Sequence, residues 1–404
     1  MQFQKVTFTN RNGQHLAARL ELPANQRAHT YALFAHCFTC NKNLTAVRNI
    51  SRALNLDGIA VLRFDFTGLG ESEGDFADTN FTSNIEDLID AANFLAEEYQ
   101  APKRLIGHSL GGAAVLCAAS FLPEVKAVAT IGAPYDPAHV AHLIDDHIDE
   151  IEVTGAANVT IGGRSFKVKK QFLEDIKEQE VKDKLQNLNK ALLIMHSPQD
   201  RTVAIENAAW LYEAARHPKS FITLDGADHL MSNKADSQYA GSMIASWASR
   251  YLDLEENEIL KAERQVAVRL GEEGYTTEVM VRHHGLTADE PVEVGGNDFG
   301  PNPYELVTSG LGACTAMTMR MYARRKNWDL KEVVVHLDHA KDYPSDMQDT
   351  ENPKNKIDIF KREIEIEGNL DDAQIARLME IADRCPVHRT LHSPVIIETT
   401  RRSK

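Results

Sequence analysis

The stretch KRLIGHSLGGAAVLCAA, residues 103–119, decides how the first part of this chain is read. An apolar, strand-like run ends at Ile106. Gly107-His108-Ser109-Leu110-Gly111 follows, then Gly112 and a small-residue helix. This is G-x-S-x-G with a strand before it and a helix after it, the setting in which a serine is held on a sharp strand-to-helix turn. A side chain there sits at a strained backbone position, and glycines two before and two after relieve the crowding. The hydroxyl then projects above the sheet edge. The amide of Leu110, at the helix N-terminus, points at a developing oxyanion.

The pattern on either side is that of a doubly wound parallel sheet. Residues 2–8 and 15–22 alternate around Asn12-Gly13, which reads as a β-hairpin with a type I′ turn. Residues 31–36 (YALFAH), 58–66 (GIAVLRFDF), the run to Ile106, 125–132 and 191–196 (ALLIMH) are continuously apolar, as strands buried on both faces are. Segments 44–56 and 84–98 carry helical apolar spacing between them, 220–224 is the last strand, and 238–252 a closing helix. Between about 135 and 189 the alternation breaks into charged helical runs and a Gly162-Gly163 turn; this reads as a cap over the strand C-termini, enclosing a substrate pocket.

A serine hydroxyl needs a base, and the base an orienting carboxylate. On this architecture the chain order is serine, acid, histidine. Asp200 follows the strand 191–196, and His229 follows the strand 220–224. Strand C-termini of an open α/β sheet face one crevice, so the three can converge. Asp225, Asp228, His196 and His108 are rivals in poorer positions. The second oxyanion donor falls in the loop His36-Cys37-Phe38-Thr39-Cys40, with the amide of Phe38 offered and Cys37 standing where such enzymes commonly have glycine. Cys37 and Cys40 also form a C-x-x-C, a weak signal for a thioredoxin-like pair; no partners for a structural zinc lie nearby. Residues 1–253 resemble an α/β-hydrolase with the triad Ser109, Asp200 and His229. The stretch Asp65-x-x-Gly68-x-Gly70-x-Ser72 resembles the loop after the fourth strand of many members. The resemblance implies carboxyl-ester hydrolysis first, with thioester or amide cleavage and a few non-hydrolytic variants as further possibilities.

Polar residues 254–263 form the expected junction. Beyond it the layout is α+β: an antiparallel meander over 265–271, 275–284 and 290–294, a helix from about 304 to 325, strands at 333–340 and 357–367, a helix at 371–384, a short helix opened by Cys385-Pro386, and a final strand at 395–399. Gly300-Pro301-Asn302-Pro303-Tyr304-Glu305-Leu306, Leu311-Gly312-Ala313-Cys314-Thr315 and Cys385-Pro386-Val387 resemble the OsmC / organic hydroperoxide resistance family over residues about 264–400, in an expected domain of residues 264–404. That resemblance implies a peroxidatic Cys314, a resolving Cys385, an external dithiol reductant, an organic hydroperoxide substrate and an intertwined homodimer. It also implies Glu305, with Arg282 as the candidate arginine, in support of the thiolate. The alternative is a C-terminal domain that serves only to dimerise an esterase.

Composition bounds the rest. With 404 residues, 43% hydrophobic and 25% charged, the chain has room for two domains. A net charge of -15 without a basic run argues against nucleic acid and anionic membranes. No apolar run approaches a membrane span, and the N-terminus lacks a signal-peptide pattern, so a cytoplasmic protein is expected. Five scattered cysteines do not form a secreted disulfide framework. No cofactor or metal is called for.

Overall fold

The computed structural model describes residues 3–23, 28–37, 39–161, 163–178, 181–251, 260–271, 274–342 and 357–402. Phe38, Gly162 and the junction residues 254–259 lie outside them. The chain divides into two compact units, Met1–His283 and His284–Lys404.

The first unit is built on an eight-stranded sheet. Its strands, with a hairpin of the cap, run in chain order β1 (Phe3–Thr9), β2 (His15–Glu21), β3 (Thr30–Ala35), β4 (Ile59–Phe64), β5 (Arg104–His108), β6 (Ala127–Ile131), β7 (Ala156–Ile161), β8 (Arg164–Lys169), β9 (Ala191–His196) and β10 (Lys219–Thr223). The sheet order is β1-β2-β4-β3-β5-β6-β9-β10, antiparallel at the β1–β2 and β2–β4 pairs and parallel from β4 onward. Alternate residues of each central strand feed two different cores. Leu33, Leu62, Leu105, Val128 and Leu192 pack with helices Phe81–Glu98 and Leu110–Ala118. Phe34, Val61, Ile106, Ala129 and Leu193 pack with helices Thr45–Leu56 and Lys234–Ser249. Two covered faces are why these strands read as unbroken apolar runs. Strand order reverses around β3, so the loops after β3 and β5 open side by side at the switch point, where such sheets place their sites.

The amino-terminal turn differs from the expected type I′. Thr9 pairs with His15, leaving five residues in the loop, and only Gly13 has a positive φ (80°). The side chain of Asn10 takes the amides of Asn12 and Gln14, at 3.1 and 3.0 Å, and so organises the wider loop. The segment between β6 and β9 is the expected insertion: short helices and the antiparallel β7–β8 hairpin. It is tied to the sheet domain by Asp175, which accepts from the amide and hydroxyl of Thr82 at 2.8 and 2.5 Å, and by a Lys169–Asp78 ion pair.

After the closing helix, β11 (Val266–Leu270) and β12 (Thr277–Val281) pair antiparallel. The second unit opens with β13 (His284–Ala288). The third stretch of the expected meander, 290–294, is a single 3-10 turn at Val292–Val294, following Pro291, whose ring cannot supply a ladder donor. Helix Pro303–Lys326 starts with a capping box: Glu305 N–H donates to the Asn302 side chain at 2.9 Å, and the Glu305 carboxylate accepts from Asn302 N–H at 2.7 Å. Leu311, Thr315, Met319 and Ala323, four residues apart, are its buried stripe. Met319 and Ala323 pack with Leu330 on β14 (Asp329–Asp342), which pairs with β15 (Ile357–Asn369), and with Leu378 and Ala382 of helix Asp372–Ala382. The final strand expected at 395–399 is not formed: the segment makes no ladder, and Ile396 and Ile397 are 86% and 85% exposed.

Helices Thr45–Leu56 and Lys234–Ser249 cross at Gly241. A Cβ there would stand 2.6 Å from the Ala53 Cβ and 3.0 Å from the backbone of Ile50. Gly241→Val therefore overpacks the crossing, with an expected loss of about 1–3 kcal/mol, read as a lower urea midpoint of the hydrolase unit; an unchanged midpoint would contradict the close crossing.

Candidate active site

The serine turn is a steric solution. Ser109 follows β5 and has φ 56°, ψ -128°, left-handed backbone that a residue with a Cβ holds only when its surroundings fix it. Ser109 N–H donates to the Ile131 carbonyl at 2.9 Å, and Gly112 N–H to the Ser109 carbonyl at 2.8 Å. A Cβ on Gly107 would meet the Gly111 carbonyl oxygen at 2.3 Å. One on Gly111 would meet the His36 carbonyl oxygen at 2.4 Å. The two glycines of the motif are thus required by contact with each other's turn and with the loop after β3.

The turn presents Ser109 Oγ to His229 Nε2 at 3.0 Å. His229 Nδ1 is 2.7 Å from Asp200 Oδ2. The other carboxylate oxygen accepts the amides of Thr202 and Val203 at 2.8 and 2.9 Å, so both Asp200 oxygens are oriented. Burial raises the Asp200 pKa, but its hydrogen bond and charge interaction with His229 and the two amides outweigh that, and the carboxyl lies below its ordinary value. It remains ionised and holds the proton of His229 on Nδ1, leaving Nε2 free to accept from Ser109. Gly132, at φ 56° after β6, leaves the room these side chains occupy: a Cβ there would lie 3.2 Å from Asp200 Oδ2.

The rivals have other places. His196 is buried, with Nε2 2.8 Å from the Val203 carbonyl. His108 is buried, and its Nε2 lies 2.6 Å from the His229 carbonyl. Burial first, and then the neighbouring His229, push the His108 pKa down to about 3. It stays neutral, donates that hydrogen bond, and anchors the backbone of His229. Asp225 and Asp228 are exposed, and Asp228 accepts the amide of Ser232 at 2.9 Å. The positioning contribution of His108 carries no signal in the sequence beyond its place inside the motif.

The loop after β3 faces the first turn of the serine's helix. Its residue Phe38, the expected second oxyanion donor, lies outside the described residues. Leu110, the first expected donor, is the first residue of helix Leu110–Ala118. His36, Cys37, Phe66, Leu110 and Gly111 border a small cavity beside the serine. Cys37 and Cys40 form a disulfide, where the sequence suggested only single thiols or a weak redox signal. A buried charge network, absent from the sequence reading, holds the far end of the loop. Lys42 Nζ donates to Asp65 at 2.5 Å and to Glu71 at 2.6 Å, Lys42 N–H donates to Asp65 at 2.6 Å, and Arg63 donates to the Lys42 carbonyl.

In the second unit, Cys314 is half-buried on helix Pro303–Lys326, next to Thr315 of the buried stripe. Cys385 is buried and caps helix Pro386–Leu391, its Sγ accepting the His388 amide at 3.3 Å. Thr315 Oγ1 lies 3.7 Å from Cys385 Sγ, so the residue after one cysteine touches the other. Both thiols are free. Arg362, unmarked in the sequence, donates to Thr315 Oγ1 at 2.8 Å, to the Ala382 carbonyl at 3.2 Å and to Asp383 at 2.5 Å. Glu305 is placed in the capping box described above. Arg282 is at φ 57°, its amide bonded to the Gln265 carbonyl at 3.0 Å. Among the described residues, no group of three His, Cys, Asp or Glu side chains is placed to hold a metal ion, and no helix is long and apolar enough to cross a membrane.

The triad geometry fixes the effect of one substitution. Asp200→Asn would turn an amide N–H toward His229 Nδ1 and drive its proton to Nε2, the wrong tautomer. The rate of acylation of Ser109 by an activated ester is expected to fall by about 10³–10⁴-fold; a fall of less than about tenfold would show that Asp200 does not set the tautomer.

Comparison with known proteins agrees with both units. The OsmC-like protein family matches residues 295–400, and the serine aminopeptidase, S33 family matches residues 33–148. The esterase domain of a Rhodothermus marinus protein is 54% identical, covering 62% of this chain and 99% of that chain, with a TM-score of 0.52. Est1E from Butyrivibrio proteoclasticus shares the fold at 19% identity over 61% of this chain and 98% of its own, with a TM-score of 0.53. Uncharacterized protein YfhR of Salmonella typhimurium is 25% identical over 60% of this chain and 80% of its own. A relative of known structure matched over nearly its whole length, with the serine triad assembled on the matching fold, shows that this chain belongs to the α/β-hydrolase family, with an OsmC-like domain following the hydrolase.

Proposed function

We propose that the first domain is a serine carboxylesterase. The observation that carries this is His229 standing between Ser109 at 3.0 Å and Asp200 at 2.7 Å. Ser109 Oγ attacks the ester carbonyl as His229 takes its proton. The amides of Leu110 and Phe38 receive the oxyanion, and the protonated His229 gives its proton to the leaving alcohol. Water, activated by the same histidine, releases the acid. In support, the Rhodothermus marinus relative is described as an esterase domain. The hydrolase occupies residues 1–253, with 254–263 as linker and 264–404 as the OsmC-like domain.

The second domain, in this reading, reduces organic hydroperoxides. The Cys314 thiolate attacks the terminal oxygen of R–O–OH, the O–O bond breaks, and R–OH leaves after taking a proton. The sulfenic acid on Cys314 then condenses with the Cys385 thiol, forming a disulfide and water. An external dithiol gives two electrons and two protons to restore both thiols. Glu305 supports the thiolate. The contact of Thr315 with Cys385 favours this reading, because it brings the two cysteine segments together. The domain also forms a homodimer in a cytoplasmic protein. Exposed Met317 and Met321 on the long helix, with Ile396 and Ile397 in the unpaired C-terminal segment, are apolar surface suited to a second copy. The same surface supports the alternative in which the domain only dimerises the esterase.

A double dissociation tests both halves. Ser109→Ala is expected to abolish hydrolysis of short p-nitrophenyl esters and to leave dithiol-dependent consumption of an alkyl hydroperoxide intact. Cys314→Ser is expected to do the reverse. Ester turnover that survives Ser109→Ala would refute the esterase assignment, hydroperoxide turnover that survives Cys314→Ser would refute Cys314 as the peroxidatic residue, and absence of hydroperoxide turnover in the unaltered protein would leave only the dimerising alternative.

A further inference from the structure

The chemistry above makes no use of the disulfide between Cys37 and Cys40. That bridge closes a turn in the loop after β3. Cys40 N–H donates to the Cys37 carbonyl at 3.1 Å, and the two Cα atoms are 5.3 Å apart. Inside the turn Thr39 sits at φ 60°. A β-branched residue is an outlier there, and it persists only where the surroundings over-determine it. Arg164 of β8 donates to the Thr39 carbonyl from the cap. The Asp65 carboxylate takes both the amide and the ammonium of Lys42. The Cys37–Cys40 bridge spans the strained residue itself.

The turn also touches the reaction centre. The His36 carbonyl stands where a Gly111 side chain would be, so the loop rests on the first turn of the serine's helix. Cys37 is 4% exposed and borders the small cavity beside Leu110. Cys40 is half-buried, the more exposed residue of the pair. A bridge with one half-buried cysteine, set across a strained turn in the loop that rests on the serine's helix, has the parts of a redox site.

We propose that Cys37–Cys40 is a redox-modification site that takes a dithiol reductant and thereby controls hydrolysis at Ser109. It rests on the esterase reading of Ser109. In the forward step a thiolate of the dithiol attacks Cys40 Sγ. The Cys37–Cys40 bond breaks, and Cys37 leaves as a thiolate that takes a proton. The second thiol of the reductant attacks the mixed disulfide, releasing Cys40 and leaving the reductant as its own disulfide. Two electrons and two protons pass to the protein. The reverse exchange, with a disulfide carrier as oxidant, restores the bridge. Without the cross-link Thr39 relaxes out of the left-handed region and the loop leaves its fixed place against Gly111. Oxyanion donors act only when held in advance, so the acylation step slows while substrate binding is kept.

The test uses the full chain. Oxidised protein is compared with protein reduced by excess dithiothreitol and desalted, with alkylation and peptide mapping to show that Cys37 and Cys40 are free. Reduction is expected to lower kcat on a p-nitrophenyl ester by at least about tenfold with little change in KM, and reoxidation by oxidised glutathione to restore it. Cys314→Ser should respond in the same way, which assigns the effect to the first domain. Cys40→Ser should stay at the reduced level and ignore dithiothreitol, with its melting curve showing that it is folded. Full activity with both thiols alkylated would overturn the proposal, as would a bridge that resists dithiothreitol in the folded protein. Absence of hydrolysis before any reduction would instead strike the Ser109 reading, and the proposal with it.

Discussion

The site depends on one steric constraint, the absence of side chains at positions 107 and 111. Ser109 can take its left-handed backbone only because Gly107 lies against the Gly111 carbonyl and Gly111 against the His36 carbonyl. That contact fixes three things together: the direction of the serine hydroxyl, the start of the helix that carries Leu110, and the seat of the loop after β3. A single methyl group at either glycine would separate them. The strain at Ser109 is offset by packing, and the result is a hydroxyl presented to His229 instead of buried in the turn.

Around that contact the fold spends buried charge on position. Asp65 anchors Lys42, Arg63 holds the Lys42 carbonyl, and Asp200 receives two amides in addition to His229. These groups sit at the ends of strands, where the sheet is rigid and the loops begin. A carboxylate with several donors stays ionised despite burial, which is the direction found for Asp200. His108 shows the opposite use of burial: a ring kept neutral, so that it can donate to the carbonyl of His229.

How much of this was legible in the sequence follows from the range of each interaction. The central strands were readable because both their faces are covered, which makes them unbroken apolar runs between glycines. Ser109, Asp200 and His229 were readable because each lies just past a strand end and their order suits the sheet. The type I′ turn was not, because the Asn10 side chain binds Asn12 and Gln14 amides and widens the loop, a local competition that Asn12-Gly13 alone does not reveal. The strand expected at 395–399 has strand composition but no partner strand among the described residues. The contacts of Arg362 and the Lys42–Asp65–Glu71 cluster join residues through space, and no spacing rule predicts them, while a lone C-x-x-C marks the Cys37–Cys40 pair only weakly.

The central claim is that Ser109 is the nucleophile, made reactive by His229. A fluorophosphonate forms a stable bond only with such a serine, and peptide mapping after labelling reads its position. One adduct per chain, on Ser109, with labelling slowed by at least about 10³-fold in His229→Ala, is the expected result. An adduct on any other residue, or a rate unchanged by His229→Ala, would contradict it.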